Sequence, residues 1–272
     1  MGVCMDLSNE NIIHIKKNGI EFLKFKKLDE HEEILHAFSL KPLNFRNRSG
    51  IEENYKTLLD ALEIQYSSLV KVTQSHTDNI IKIDCKENSD SADINLDYLQ
   101  DVDGSITSKS NIALATTSAD CLCVILYDTK NKIIANVHSG WRGTFKKIVL
   151  KAVRKMINEC GSNPKDIEAY LMPAIRKCHF EVDLDVMELC KNIFEYTGEI
   201  DEIICKGRNV GDAQKYNIDN ILINELLLEE AGVLKENIFD SSICSVCNSE
   251  KVHSRRSDGE NFGLGTTIVM KK

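Results

Sequence analysis

A mixed α/β fold, with β-sheets of mixed strand direction flanked by helices, is predicted by three features of the sequence. Strand-like and helix-like stretches alternate through the middle of the chain, hairpin chemistry opens it, and no Pro/Gly/Ser linker or shift in composition divides it. Residues 1–272 therefore read as a single domain. At roughly 150 residues per domain, the length accommodates one large unit with a real core. No 20–50-residue repeat or low-complexity tract appears, which excludes solenoids and disordered tails.

The elements follow in order. Ile12-Ile13-His14-Ile15 and Ile20-Glu21-Phe22-Leu23 flank Lys16-Lys17-Asn18-Gly19, and Asn-Gly is the dipeptide a type I′ hairpin turn prefers. Asp29 to His36 reads as a short polar helix or turn. Tyr55, Leu58, Leu59 and Leu62 recur at helical spacing behind glutamates, so 51–62 reads as a helix. Leu69 to Val72 is a short strand, and the acidic, Ser/Asn-rich stretch 88–97 a surface loop. Residues 112–116 and 121–127 read as buried strands, 128–131 as a turn, and 133–137 as a further strand broken by His138-Ser139-Gly140-Trp141-Arg142-Gly143. Phe145 to Glu159 places Phe145, Ile148, Val149, Ala152, Val153 and Met156 on one helical face, with a Gly161 C-cap. A strand at 167–171, helices at 186–196 and 218–231, and a closing strand at 267–270 complete the pattern.

Composition removes several functions. The chain has 34 Lys+Arg against 42 Asp+Glu, a formal charge of −8, with no basic stripe to form a nucleic-acid face. The longest apolar run, 121–127, is far short of the roughly 18 residues that span a membrane. The start, Met1-Gly2-Val3-Cys4-Met5-Asp6, has neither the basic nor the apolar region of a secretory signal, so a cytoplasmic location is expected. Ten cysteines are then expected to be mostly reduced thiols, with Cys85, Cys160, Cys190 and Cys205 reading as small buried hydrophobes. Nothing demands an oligomer, and a monomer is expected.

Reactive side chains gather in three segments at predicted strand ends: Gln74-Ser75-His76-Thr77, Thr117-Ser118-Ala119-Asp120-Cys121-Leu122-Cys123, and His138-Ser139-Gly140-Trp141-Arg142-Gly143. Imidazole and thiolate together suit zinc or copper, and three protein ligands with a free fourth position make a catalytic arrangement. Spacing alone does not bring the three together. Each residue alone also reads as an ordinary structural one. Cys244-Ser245-Val246-Cys247 has the spacing of a redox or metal pair, but no second ligand pair of matching spacing accompanies it.

In this order the three segments resemble the YfiH/YlmD family, first labelled multicopper polyphenol oxidase or laccase-domain proteins and later described as purine nucleoside phosphorylases. Asp103-Gly104-Ser105-Ile106-Thr107, the segment from Pro173 to Val182, Tyr216-Asn217-Ile218-Asp219 with Asn224, and Cys244 with Ser254-Arg255-Arg256 extend the resemblance over about residues 35–270. The resemblance implies a layered α-β-β-α sandwich. It further implies a catalytic and metal centre of His76, Cys121 and His138, and zinc as the metal with copper as the alternative. Arg142, Arg255 and Arg256 become candidates for holding phosphate, because a guanidinium fork matches phosphate oxygens. Three departures stand out: Cys123 replaces the family's proline, Gly263-Leu264 replaces its Gly-Arg, and Ser39-Leu40-Lys41-Pro42 lacks its Gly pair. Lys41 is a fourth candidate for holding substrate or phosphate, keeping a charge at the last segment without the bidentate fork.

The implied activity is phosphorolysis of purine nucleosides (adenosine, inosine, 5′-methylthioadenosine), with adenosine deamination as a side activity. The partners would then be a nucleoside and phosphate, with no nucleic acid or membrane. Asp120 and His179 are candidates for proton transfer, although Asp120 beside a strand end also reads as a backbone cap. Two other readings compete: Cys121 as nucleophile with His138 as base, acting on an amide or cell-wall precursor, and a copper oxidase. Seven histidines with no His-x-His pair are too few for a full multicopper set. The zinc deaminase signature is not met, since His31-Glu32-Glu33 and Cys244-x-x-Cys247 lie far apart and the proline is missing.

Overall fold

A computed structural model describes residues 5–46, 50–83 and 100–272. The acidic stretch 88–97 and Cys85 lie outside the described residues. Two six-stranded mixed sheets face each other. The first runs Ile12–Lys17, Ile20–Phe25, Ile34–Ser39, Gly265–Lys271, Ala113–Ser118, Leu69–Lys71, antiparallel except for its last pair. The second runs Ile238–Asp240, Ile167–Leu171, Leu122–Asp128, Ile133–Ser139, Gly104–Thr107, Ile80–Lys82, with parallel pairs at its two edges. A small three-stranded sheet of Glu181–Val182, Ala213–Ile218 and Ile204–Val210 lies beside them.

The layering follows from the two-residue period of a strand, which sends alternate side chains to opposite faces. Along Leu122–Asp128, residues Leu122, Val124 and Leu126 join the core beneath the helices Ile148–Cys160 and Asn220–Glu230. Cys123, Ile125 and Tyr127 enter the core between the sheets, with Leu23, Phe38, Leu114 and Val269 of the first sheet. Both faces of this strand are buried, which is why its sequence is a continuous apolar run. The helix Ile51–Ala61 covers the other face of the first sheet through Tyr55, Leu58 and Leu59. The result is the expected α-β-β-α sandwich. Buried Asn136 fastens the two sheets: its Nδ2 donates to Leu114 O (3.0 Å) and Thr267 O (2.9 Å), and its Oδ1 accepts from Thr116 Oγ1 (2.7 Å).

Several expectations need correction. Residues 34–39 form a strand, not a polar helix, because Ile34, His36 and Phe38 are buried on the sheet. The helix expected from Phe145 starts at Ile148; a short helix Trp141–Phe145 precedes it, and Lys147 between them is left-handed (φ 61°). Ile218 ends a strand rather than starting a helix, and Asp219 caps the helix by accepting from Ile221 N and Leu222 N. Cys160 is half-buried and Cys205 exposed, whereas Cys190 is buried as expected. The Asn18-Gly19 turn has both residues at positive φ (53° and 78°), as a type I′ turn requires. Among the described residues no helix is long and apolar enough to cross a membrane.

Candidate active site

Strand pairing brings the separate segments to one end of the second sheet. Cys123 pairs with His138 and Leu122 with Ser139, so Cys121 emerges where His138 does. On the other side of His138, Gly104 pairs with Val137, which sets Asp103 at the same edge. The third segment arrives by a loop docked onto the first sheet: Gln74 Nε2 donates to Thr117 O and Gln74 Oε1 accepts from Thr117 N, both at 2.7 Å. The Gln of the motif is therefore a dock, not a reactive group.

Asp103 organises the centre and carried no assigned role in the sequence reading. Its carboxylate is fully buried and accepts from Ser75 N (3.3 Å), His76 N (3.1 Å), Thr77 N (2.6 Å), Thr77 Oγ1 (2.7 Å) and His138 Nδ1 (2.8 Å). One anion thus folds the His76 loop around itself and fixes the His138 ring. His76 adopts left-handed backbone (φ 62°), a strained choice for a residue with a Cβ, held by these bonds. The signal that could have exposed Asp103 is an acidic residue immediately before a buried Gly-Ser-Ile-Thr strand.

His76, Cys121 and His138 converge, with their ligand atoms within 4.8 Å of one another. Cys121 Sγ lies 3.8 Å from His76 Nε2, and the two imidazoles meet edge to face at 5.1 Å. Two motif glycines make room. A Cβ on Gly140 would stand 2.9 Å from His76 Cδ2 and 3.1 Å from Cys121 Sγ; one on Gly143 would stand 3.0 Å from Thr77 O.

The electrostatics follow from burial and neighbours. Burial pushes the Cys121 thiol up, but the charge and hydrogen bonds of His138 and His76 outweigh it and bring it down to about 6. Burial opposes a charge on His138, yet the Cys121 thiolate and Asp103 raise it to about 10. Burial works against the Asp103 carboxylate, and bonds from His138 and Thr77 still lower it to about 2. The centre is a thiolate–imidazolium pair backed by a carboxylate. Its donor set fits a metal: two imidazoles and a thiolate, a carboxylate fixing one ring from behind, and a small space kept clear by Gly140.

The centre opens on a pocket of about 400 Å³, within the range of small-molecule sites. Trp141, Ile175 and Phe180 form apolar walls, Arg142, Arg255 and Arg256 bring positive charge, and Asn220 contributes a polar group. Arg142 stacks on Trp141 (4.3 Å) and Arg255 over Phe262 (5.5 Å), and neither has an ion pair among the described residues. Arg256 uses its guanidinium on the backbone, donating to His179 O (2.7 Å) and Glu181 O (3.1 Å). Asn220 Oδ1 is buried without a partner.

Two sequence expectations, for Lys41 and His179, are corrected here, and the capping alternative for Asp120 is met. Lys41 does not line the pocket: its Nζ binds Asp258 (2.9 Å) and Ser249 O (2.7 Å), so it anchors the short helix that carries the two arginines. Asp120 accepts from Ser245 Oγ (2.6 Å) and Arg256 N (2.7 Å), the capping role, and it also lines the pocket. His179 points Nδ1 at the sulfurs of Cys178, Cys244 and Cys247 instead of the pocket.

A family model described as multi-copper polyphenol oxidoreductase laccase matches residues 41–272. The chain belongs to this family. A relative named purine nucleoside phosphorylase, from Clostridium acetobutylicum, is 29% identical over 265 residues, covering 96% of this chain and all of its own length. A relative named adenosine deaminase, from an unknown prokaryotic organism, is 30% identical over 216 residues, 79% of this chain and 80% of that one. The crystal structure of Bacillus licheniformis YfiH superposes with a TM-score of 0.83 at 25% identity, covering 97% of this chain and all of that one. The chain is thus a YfiH/YlmD-type member of the laccase-domain family, whose curated relatives carry enzyme names. The copper of the family's label finds few ligands here. Of the seven histidines, His14, His31, His36 and His253 bond Glu21, Glu168, Phe25 N and Leu43 O respectively.

Proposed function

We propose that this chain cleaves purine nucleosides (adenosine, inosine, 5′-methylthioadenosine) with phosphate, giving the free base and the corresponding ribose 1-phosphate, and deaminates adenosine as a side activity. The observation that carries the reading is the pocket itself. Two guanidinium groups with no hydrogen-bond or ion-pair partner among the described residues, Arg142 and Arg255, share one small cavity with aromatic walls and the His76–Cys121 edge of the reactive centre.

Each part has a task. In phosphorolysis a phosphate oxygen attacks C1′, the C1′–N9 bond breaks, and the departing base takes up a proton. Arg142 and Arg255 hold the phosphate and neutralise its charge against the sugar, and Arg256 braces the wall beside them. Trp141 and Phe180 sandwich the flat base, and the unpartnered Asn220 Oδ1 accepts from an N–H on the purine edge. Asp103 holds the His138 ring in one orientation, so the centre is pre-organised before substrate enters. His76, Cys121 and His138 would hold a zinc ion, which when bound lowers the pKa of a water toward about 7, as deamination at C6 requires.

The test is incubation of the purified chain with adenosine or inosine, with and without phosphate. Free base formed only with phosphate supports the reading; no base under either condition overturns it. One observation favours a second reading: Asp103, His138 and Cys121 form a carboxylate–imidazole–thiol series in which the thiol is held down to about 6. A hydrolase using Cys121 as nucleophile on an amide, such as a cell-wall precursor, would be inactivated by alkylation of that thiol.

A further inference from the structure

We propose that Cys178, His179, Cys244 and Cys247 form a second metal site, a closed four-ligand zinc site that staples the wall of the active pocket. These residues come from two places 65 residues apart: the turn before the strand Glu181–Val182, and the Cys-x-x-Cys that follows Ile238–Asp240. The Cys-x-x-Cys lacked a partner pair in sequence because the other two ligands are adjacent residues of a different turn, a spacing no zinc motif specifies.

The donor atoms already stand at coordination distances from one another. Cys178 Sγ is 3.6 Å from Cys244 Sγ and 4.0 Å from Cys247 Sγ. His179 Nδ1 is 3.2 Å, 3.7 Å and 3.5 Å from the sulfurs of Cys178, Cys244 and Cys247. A tetrahedral zinc with Zn–S of about 2.3 Å and Zn–N of about 2.05 Å demands S···S near ~3.8 Å and S···N near ~3.6 Å. Three thiols and an imidazole are the soft, tetrahedral set that selects zinc over oxygen-loving cations. A disulfide needs sulfurs at about 2.05 Å, whereas Cys178, Cys244 and Cys247 are all free thiols and Cys178 Sγ stands 3.6 Å from Cys244 Sγ.

The backbone holds both halves in place. Ala174 N donates to Ile243 O (3.2 Å) and Ser245 N to Ala174 O (3.0 Å), while His179 N and Phe180 N both donate to Arg176 O. This preformed frame abuts the pocket at three points. Phe180 is a pocket wall, Arg256 grips His179 O and Glu181 O, and Ser245 Oγ holds Asp120. All four donors being protein groups, the ion would bind no substrate; its work is to fix the turn from which Phe180 and the Arg256 contacts project.

The test separates this site from the His76–Cys121–His138 centre. The full chain is expressed with zinc, and the metal is counted in the wild type and in a His76→Ala/Cys121→Ser variant. About one zinc per chain is expected to stay in the variant, as a closed structural site predicts, and to be lost when Cys247→Ser and Cys178→Ser are added. Cobalt(II) substituted into the His76→Ala/Cys121→Ser chain should give the thiolate charge-transfer band of a sulfur-rich tetrahedral site. Wild-type chain supplies a readout free of folding concerns. Cys178, Cys247 and Cys205 are all exposed, yet only Cys205 should alkylate quickly, the other two reacting after a zinc chelator is added. Equal alkylation of the three without chelator, or a Cys244–Cys247 disulfide in mass mapping, overturns the proposal.

Discussion

Asp103 Oδ1 stands 2.8 Å from His138 Nδ1, with neither side chain more than marginally exposed. The same carboxylate receives the backbone N–H groups of the His76 loop, so one residue controls two of the three members of the reactive centre. Asp103→Asn keeps the shape but places an amide N–H₂ against groups that are all donors. The expected outcome is a fall of about 10–100-fold in kcat/KM for nucleoside cleavage, the range for partners that orient a ligating histidine. Near-wild-type turnover in the folded variant would remove Asp103 from the centre.

Gly140 is a spatial requirement rather than a conformational one, since its φ of −61° suits any residue. Gly140→Ala would press a methyl against His76 and Cys121. Overpacking of this kind costs about 1–3 kcal/mol, and the exposed His76 side is the part able to yield. Thermal unfolding should shift modestly while turnover and zinc retention at the centre both drop. A variant that binds zinc and turns over like wild type would mean that the three groups do not need their observed spacing.

Arg142 and Arg255 are the pocket arginines whose guanidinium groups have no hydrogen-bond or ion-pair partner among the described residues. Substituting either with Lys keeps the charge and removes the fork. Loss of a charge-assisted bond is worth about 1.5–3 kcal/mol, so KM for phosphate should rise about 10–100-fold while KM for the nucleoside changes little. Arg256→Lys behaves differently, because its guanidinium binds His179 O and Glu181 O; it should impair both substrates together. An equal effect of all three substitutions on nucleoside KM would place the phosphate elsewhere.

The legibility of the sequence followed burial. The continuous apolar run 121–127 announced a strand buried on both faces, and Ile148, Val149, Ala152, Val153 and Met156 announced the helix above it. The strand Ile34–Ser39 was hidden because His36 and Ser39 look polar, yet both are fully buried by tertiary contacts. The hairpin Ile204–Val210 with Ala213–Ile218 was hidden for the opposite reason: most of its side chains are exposed or half-buried, so no periodicity marks it. At the site, His76, Cys121 and His138 could be named from motifs, but not the hydrogen bonds that assemble them. Asp103, the role of Lys41 as an anchor and the pairing of Cys178-His179 with Cys244 and Cys247 depend on contacts across 27 to 217 residues of chain.

His36 makes a pH prediction that is independent of the reactive centre. Its imidazole is fully buried between strands, Nε2 accepting from Phe25 N at 2.9 Å and Nδ1 without a partner. Burial and the nearby Lys24 charge lower its pKa to about 3, against partial opposition from Asp29. The unfolded chain takes up this proton near the ordinary value of 6.5. Between about 3 and 6.5 the unfolded state therefore binds more protons than the folded one, and stability falls as pH drops below 6.5. By pH 5 this amounts to roughly 2 kcal/mol at 1.36 kcal/mol per unit. His36→Gln retains an acceptor for Phe25 N and cannot titrate. Urea unfolding at pH 7.5 and pH 5 should thus show a smaller acid loss in the variant than in wild type, by about that amount. Equal acid losses in both would mean that His36 takes up its proton without unfolding the sheet.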